Sequence, residues 1–210
     1  MSAPQLLIDG FARFRGNHFS AEDVMYRNLV EQGQTPKVLI VGCCDSRVDP
    51  ALIFDCAPGD LFVIRNVANL VPPVEGRAGH HGTTAALEYG VRNLSVEHII
   101  VLGHAHCGGI ATLLNTAGVT DPASFIDDWM KLAEAARVEV TQALLQASDA
   151  QRQRECEKRA ILVSLQNLRT FPWITQRVEA GKLMLHGWYF DIELGELLGY
   201  EQATQQFVPL

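Results

Sequence analysis

Long apolar runs are missing from this sequence. No stretch approaches the roughly 20 residues that a membrane-spanning helix needs, although 48% of the residues are hydrophobic. The opening Met-Ser-Ala-Pro-Gln lacks the basic start and apolar stretch of a secretion signal, so a cytoplasmic protein is expected, with no membrane partner. Positive charge is short too: 17 Lys and Arg face 24 Asp and Glu, a formal net charge of −7. A nucleic-acid surface concentrates Lys and Arg, and this balance argues against one. It leaves room for a small anionic substrate, because a local site can be positive in a negative protein. Repeats, low-complexity tracts and linkers are absent as well. One domain, 1–210, with its own core is therefore expected.

Cysteines are too few, and odd in number, for a disulfide scaffold: Cys43, Cys44, Cys56, Cys107 and Cys156. In a reducing compartment, cysteines that matter are usually metal ligands or nucleophiles. Cys56 and Cys156 have no such company in the sequence and read as small buried residues.

What is present is an alternation of strands and helices. Val38–Gly42, Leu61–Ile64, His98–Gly103 and Leu183–His186 are short unbroken apolar runs. Such runs fit strands covered on both faces. Between them, residues 5–32, Thr83–Asn93 and Glu155–Thr170 have helical spacing, Asp121-Pro122 reads as a helix start, and Phe171-Pro172 opens another helix. Gly187–Ile192, the turn Glu193-Leu-Gly195 and Leu197–Tyr200 suggest a hairpin with an added edge strand. The expected fold is α/β: a mostly parallel central sheet of four strands plus an antiparallel edge strand, with helices on both faces and an N-terminal helical arm, 1–33.

Two segments share a grammar. Val38-Leu-Ile-Val-Gly runs into Cys43-Cys44-Asp45-Ser46-Arg47, and Ile99-Ile-Val-Leu-Gly runs into His104-Ala105-His106-Cys107-Gly108-Gly109. In open parallel sheets, ligands sit beyond the carboxyl ends of the strands. If the two strands are neighbours, their tips meet in one crevice. Thiolate and imidazole suit zinc in tetrahedral geometry, and three protein ligands leave a position open for chemistry. Cys43, His104 and Cys107 form that set, with Asp45 a candidate fourth ligand. Cys44 and His106 are positional alternatives, disfavoured because neighbours in an extended chain point to opposite sides. Asp45 and Arg47, two apart, can form a charge-assisted pair beside the metal, which is expected to be catalytic rather than only structural. Gly108-Gly109 begins a helix whose N–H groups can face an anion. His80-His81 lies in a Gly-rich loop; it reads as loop surface, with a proton relay as the alternative.

These motifs resemble the beta class of carbonic anhydrases, and the likeness runs from about Gln34 to Tyr200. It is carried by Cys43-x-Asp45-Ser46-Arg47, His104-x-x-Cys107-Gly-Gly109, Arg65-Asn-Val-Ala-Asn-Leu-Val-Pro-Pro73, Glu88-Tyr89 and Cys156-Glu-Lys. The resemblance implies one zinc ion per chain on Cys43, His104 and Cys107, with Asp45 and Arg47 as a catalytic dyad. The implied activity is reversible hydration of carbon dioxide to bicarbonate and a proton. It also implies a dimer or a multiple of dimers, with the arm across the partner. Resemblance to the plant-like branch adds Gln34, reaching the partner's site, and Phe62, Val67, Tyr89 and Gly108 at the substrate. Carbonyl sulfide or carbon disulfide hydrolysis on the same site is the alternative activity; a non-enzymatic zinc protein is a third reading, against which the dyad speaks. Another branch of the family closes its site through a bicarbonate held by Trp, Arg and Tyr. The corresponding positions here are Ile40, Arg65 and Phe190, so a site resting open is expected.

Overall fold

The computed structural model describes residues 2–19, 24–74, 81–116, 121 and 123–210. Internal contacts divide the chain into two units, Met1–Thr35 and Pro36–Leu210. The first holds α1 (Ala3–His18) and α2 (Met25–Gln32), so the single helical span expected over 5–32 is two helices. Phe14, His18, Phe19 and Tyr26 form a ring cluster, with Phe19 and Tyr26 stacked at 4.9 Å. Leu7, Phe11 and Val30 stay exposed.

The second unit is built on β1 (Val38–Cys43), β2 (Leu61–Asn66), β3 (His98–His104), β4 (Met184–Asp191), β5 (Glu196–Glu201) and β6 (Gln206–Pro209). The sheet order is β2-β1-β3-β4-β5-β6. The first four strands in that order run parallel, and β5 and β6 are antiparallel. The architecture is the expected one, with one more antiparallel strand: β6 extends the edge and was too short and polar to register as a strand. The fourth parallel strand is also longer than its apolar run, because it takes in Gly187–Asp191.

β1 and β3 are buried along nearly their whole length, as their unbroken apolar runs require. β2 is not covered on both faces: Val63 is 38% exposed. β4 alternates buried and half-buried positions. β2 is the edge strand, which leaves its run partly open despite its sequence; β4 lies inside the sheet and is open mainly at its start, Met184. Leu39, Val41, Ile99, Val101 and Tyr189 face a core closed by α4 (Gly82–Glu88), α8 (Asp149–Leu168) and α9 (Pro172–Glu179). Ile40, Ile100 and Leu102 face the other way, toward Phe54 beyond α3 (Pro50–Ile53), Trp188 and Phe190. A third cluster, around Cys43, Cys107 and Ile110, packs α5 (Gly108–Asn115), α6 (Phe125–Met130), α7 (Glu134–Ala143) and the first half of α8 over the strand tips. Among the described residues no helix is long and apolar enough to cross a membrane.

Local chemistry explains the boundaries. Ser148 and Gln151 form a reciprocal capping box that starts α8 six residues earlier than its apolar spacing suggested. The helix expected from Asp121 begins instead at Phe125, where the Ser124 hydroxyl accepts from the Asp127 N–H. Asp121 is spent on a turn, its carboxylate accepting from the Ala123 N–H. After α4 the chain continues as a π-helical turn, Tyr89–Asn93.

Two strand glycines let α8 lie close to the sheet. A Cβ at Gly187 would meet Ile161 Cγ2 at 2.9 Å and Leu165 Cδ1 at 3.0 Å. Gly187→Val therefore costs about 1–3 kcal/mol through overpacking, although valine is the better strand former. Urea unfolding of the variant measures this, and Ile161→Val in the same chain should recover part of the loss. An unchanged or raised midpoint would show that α8 is not held this tightly.

Candidate metal centre

The parallel register sets the site. β1 pairs with β3 so that Gly42 stands opposite Leu102, and with β2 so that Cys43 stands opposite Asn66. Both chains leave the sheet at this end. Cys43 closes β1, His104 closes β3, and Cys107 caps α5 three residues later. One ligand atom from each lies within 4.8 Å of the other two, and all three residues are buried. Among the described residues this is the one such group of His, Cys, Asp and Glu.

The imidazole is prepared for a cation. His104 Nδ1 donates to the Ala105 carbonyl at 2.8 Å. This fixes the tautomer and leaves Nε2 with a lone pair. That atom is buried with no hydrogen-bond partner among the described residues. The two sulfurs are linked by a hydrogen bond. It pulls the Cys43 thiol well down against the opposing effect of burial, and pushes Cys107 up. The N–H groups of Gly109 and Ile110, at the start of α5, favour the Cys107 thiolate, and those of Asp45 and Ala68 favour that of Cys43. Ala68 reaches Cys43 through a left-handed backbone, φ 62°. Two sulfurs sharing a proton beside a bare imidazole nitrogen form a donor set that fits zinc.

Asp45 sits next to this set and is already engaged. Arg47 grips it through Nε to Oδ1 at 2.9 Å and Nη2 to Oδ2 at 2.7 Å, and the Arg47 N–H adds a third bond. Those bonds hold the Asp45 carboxyl well below the usual carboxylate range. It is therefore an acceptor only, turned to its arginine. Arg47 Nη2 also donates to the His106 carbonyl at 3.0 Å.

The carbonic anhydrase family model matches residues 38–197. A carbonic anhydrase of Synechocystis is 41% identical over 209 residues, covering 97% of this chain and 73% of the relative. The chain belongs to the beta-carbonic anhydrase family. Among solved structures, the beta-carbonic anhydrase CcaA is similar with a TM-score of 0.92 at 38% identity, over 100% of this chain and 93% of that one. One of two tetrameric beta-carbonic anhydrases from Sordaria macrospora matches with a TM-score of 0.82 at 28% identity, over 93% of this chain and 95% of that one.

Membership gives the neighbouring residues their context. Cys44 is exposed and outside the donor group, and His106 turns away to Glu193, 2.8 Å from Nε2. Cys156 is buried as expected and burial pushes its thiol up to about 12; Cys56 is only half-buried. His80 lies outside the described residues, and His81 stands at the start of α4. The positions compared with the bicarbonate-closed branch are unsuited to an anion. Ile40 and Phe190 face an apolar cluster, and Tyr189 is buried toward the opposite face. Arg65 is occupied by the Cys43 and Asp45 carbonyls and the Asp49 carboxylate.

The substrate-pocket residues do not all converge. Val67 packs against Gly109 at the start of α5, and Gly108 is exposed with open space where a side chain would stand. Phe62 and Tyr89 meet each other, ring centres 6.0 Å apart. But Phe62 lies four residues before Asn66, the partner of Cys43. At about 3.3 Å per residue, that is roughly 13 Å down the sheet from the metal ligands of the same chain. Gln34 is exposed in the first unit.

Glu157 is the functional neighbour that motif spacing does not assign. It is 3% exposed, accepting from the Cys107 N–H at 2.9 Å, Gln153 Nε2 at 3.0 Å and the Tyr189 hydroxyl at 2.8 Å. Burial raises its pKa, and these donors oppose the rise. The signal available was an acidic residue inside the apolar stripe of α8. Its bond to Cys107 fixes the turn that aims the sulfur. Glu157→Ala should weaken zinc retention by about 10- to 100-fold, read by competition with a chromogenic chelator. Glu157→Gln, which keeps an acceptor for the Cys107 N–H, should lose less. Equal affinity in all three proteins would remove Glu157 from the account.

Proposed function

We propose that this chain catalyses the reversible hydration of carbon dioxide to bicarbonate and a proton, with Cys43, His104 and Cys107 holding zinc and Asp45 and Arg47 acting as the dyad. One conjunction carries the reading. A bare, buried imidazole nitrogen faces two sulfurs, and the carboxylate beside them is already held by an arginine. A storage site needs no such carboxylate. When bound there, zinc lowers the pKa of water toward neutrality and so supplies hydroxide at working pH. Asp45, an acceptor only, takes a hydrogen bond from the attacking oxygen and turns a lone pair of that oxygen toward the carbon. Arg47 keeps Asp45 ionised and away from the ligand set. Gly108, with no side chain, leaves room over the start of α5.

We place Val67 on the wall of its own chain's site and assign Phe62, Tyr89 and Gln34 to the partner's site, in a dimer or multiple of dimers. The support is distance and exposure. Phe62 is too far down β2 to reach its own ligands, and Tyr89 is 47% exposed. The exposed Leu7, Phe11 and Val30 support an arm, 1–33, that packs on the partner. Free thiols at the metal suit a reducing compartment such as the cytoplasm.

The zinc-loaded protein should accelerate carbon dioxide hydration in stopped flow. Cys43→Ala, His104→Ala and Cys107→Ala should return the rate to background with loss of metal, whereas Cys44→Ala keeps both. A metal-free but active Cys43→Ala chain would end this assignment. The reach of Gln34 is tested by mixing a Gln34→Ala chain with a Cys43→Ala chain. If Gln34 acts across the interface, each mixed dimer regains one complete site: zinc on the first chain, glutamine from the second. Activity no better than that of the Gln34→Ala homodimer would place the glutamine elsewhere.

A further inference from the structure

The loop between the last two metal ligands takes an unfavourable backbone shape. His106 has φ 58°, a left-handed conformation that a residue with a Cβ adopts at a cost. That shape aims the His106 carbonyl at Arg47 Nη2, 3.0 Å away. The turn is pinned on either side, the Ala105 N–H by the Phe190 carbonyl and the Cys107 N–H by Glu157, but the His106 side chain between them is not packed in. The His106 side chain is 49% exposed, and a cavity of about 230 Å³, lined by Gln153, Arg154, Glu157 and Glu193 among others, opens beside it. What holds the ring is Glu193, whose Oε1 lies 2.8 Å from Nε2. Glu193 is itself anchored on the turn between β4 and β5. Its other oxygen accepts from Arg154 Nη2 at 2.7 Å, and its N–H donates to the buried Asp191 carboxylate at 3.0 Å.

We propose that Glu193 is a positioning residue for the dyad: by anchoring the His106 ring it holds the left-handed turn whose carbonyl fixes Arg47, and so keeps Asp45 on Arg47 and off the metal. Arg47 is half exposed, so its orientation rests on its bonds to Asp45 and to this carbonyl. The inference rests on the reading of Asp45 and Arg47 as the dyad of a zinc carbonic anhydrase.

The test compares Glu193→Ala, Glu193→Gln, and Glu193→Ala combined with His106→Gly. Each is loaded with zinc for the hydration rate and with cobalt(II) for its visible absorption. Glu193→Ala should lose about tenfold in kcat at full metal content. Its cobalt bands should move toward those of Arg47→Ala, in which Asp45 is released. Glu193→Gln keeps an acceptor oxygen for the ring and should stay near the parent. Glycine adopts the left-handed shape without an anchor, so His106→Gly should restore the Glu193→Ala chain in both readouts. Parent-like bands and rate in Glu193→Ala would overturn the proposal, as would a defect that neither glutamine nor His106→Gly relieves. If the parent protein itself fails to hydrate carbon dioxide, the functional reading falls, and the cobalt spectra still decide whether Glu193 positions Asp45.

Discussion

The parallel pairing of Val38–Cys43 with His98–His104 is the constraint on which the metal centre depends. Leu39, Ile40, Val41, Ile99 and Val101 are fully buried in that pairing, each stabilising the fold by about 1.5–3 kcal/mol relative to exposure. Side chains alternate between faces along a strand, so a slip of one residue would exchange the set that fills one core (Leu39, Val41, Ile99, Val101) with the set that fills the other (Ile40, Ile100, Leu102) and misfit both. Register is therefore fixed by burial well away from the ligands. Its consequence at the far end is that Cys43 and His104 leave the sheet at neighbouring points, with Cys107 one turn beyond. The donor cluster follows from the core rather than competing with it.

Around the ligands, hydrogen bonds set direction where the sheet sets place. Arg65, reaching across from β2, holds the carbonyls of Cys43 and Asp45 and thereby shapes the chain that leaves β1. Glu157 does the corresponding work for Cys107 from α8. The Ala105 carbonyl chooses the His104 tautomer. Buried polar groups are costly unless paired, and these are paired, except His104 Nε2. One unpaired nitrogen in an otherwise satisfied surrounding is what a metal ligand looks like before its metal. The Asp45–Arg47 pair follows the same logic with opposite exposure: Arg47 is half open to solvent, and its geometry depends on bidentate contact with Asp45.

Much of this was legible in the sequence because the strands are apolar without interruption and end in ligand chemistry. The four parallel strands, the pairing of motifs at their tips and the choice of Cys43 over Cys44 all follow from periods of two and from strand burial. The rest depends on tertiary contacts that carry no local period. β6 is too short and too polar to stand out. The Ser124 and Ser148 caps lie outside the apolar spacing that marked α6 and α8. Glu157 and Glu193 are ordinary acidic residues until helix packing and a strand turn bring them to the loop after His104. Phe62 and Tyr89 were grouped with the pocket by family likeness, yet the β2 register separates Phe62 from its own chain's ligands, and Tyr89 lies against Phe62; strand register is a tertiary fact that no local pattern announces.

The central claim is that three ligands hold the zinc while Asp45 stays on Arg47. A crystal structure of the zinc-loaded protein at about pH 8, with anomalous scattering to locate the metal, tests it directly. Zinc is expected on Cys43 and Cys107 sulfur at about 2.3 Å and on His104 Nε2 at about 2.0 Å. The fourth position should hold no protein atom, and Asp45 should keep both bonds to the Arg47 guanidinium. Asp45 bonded to the metal, or Cys44 in place of Cys43, would contradict it.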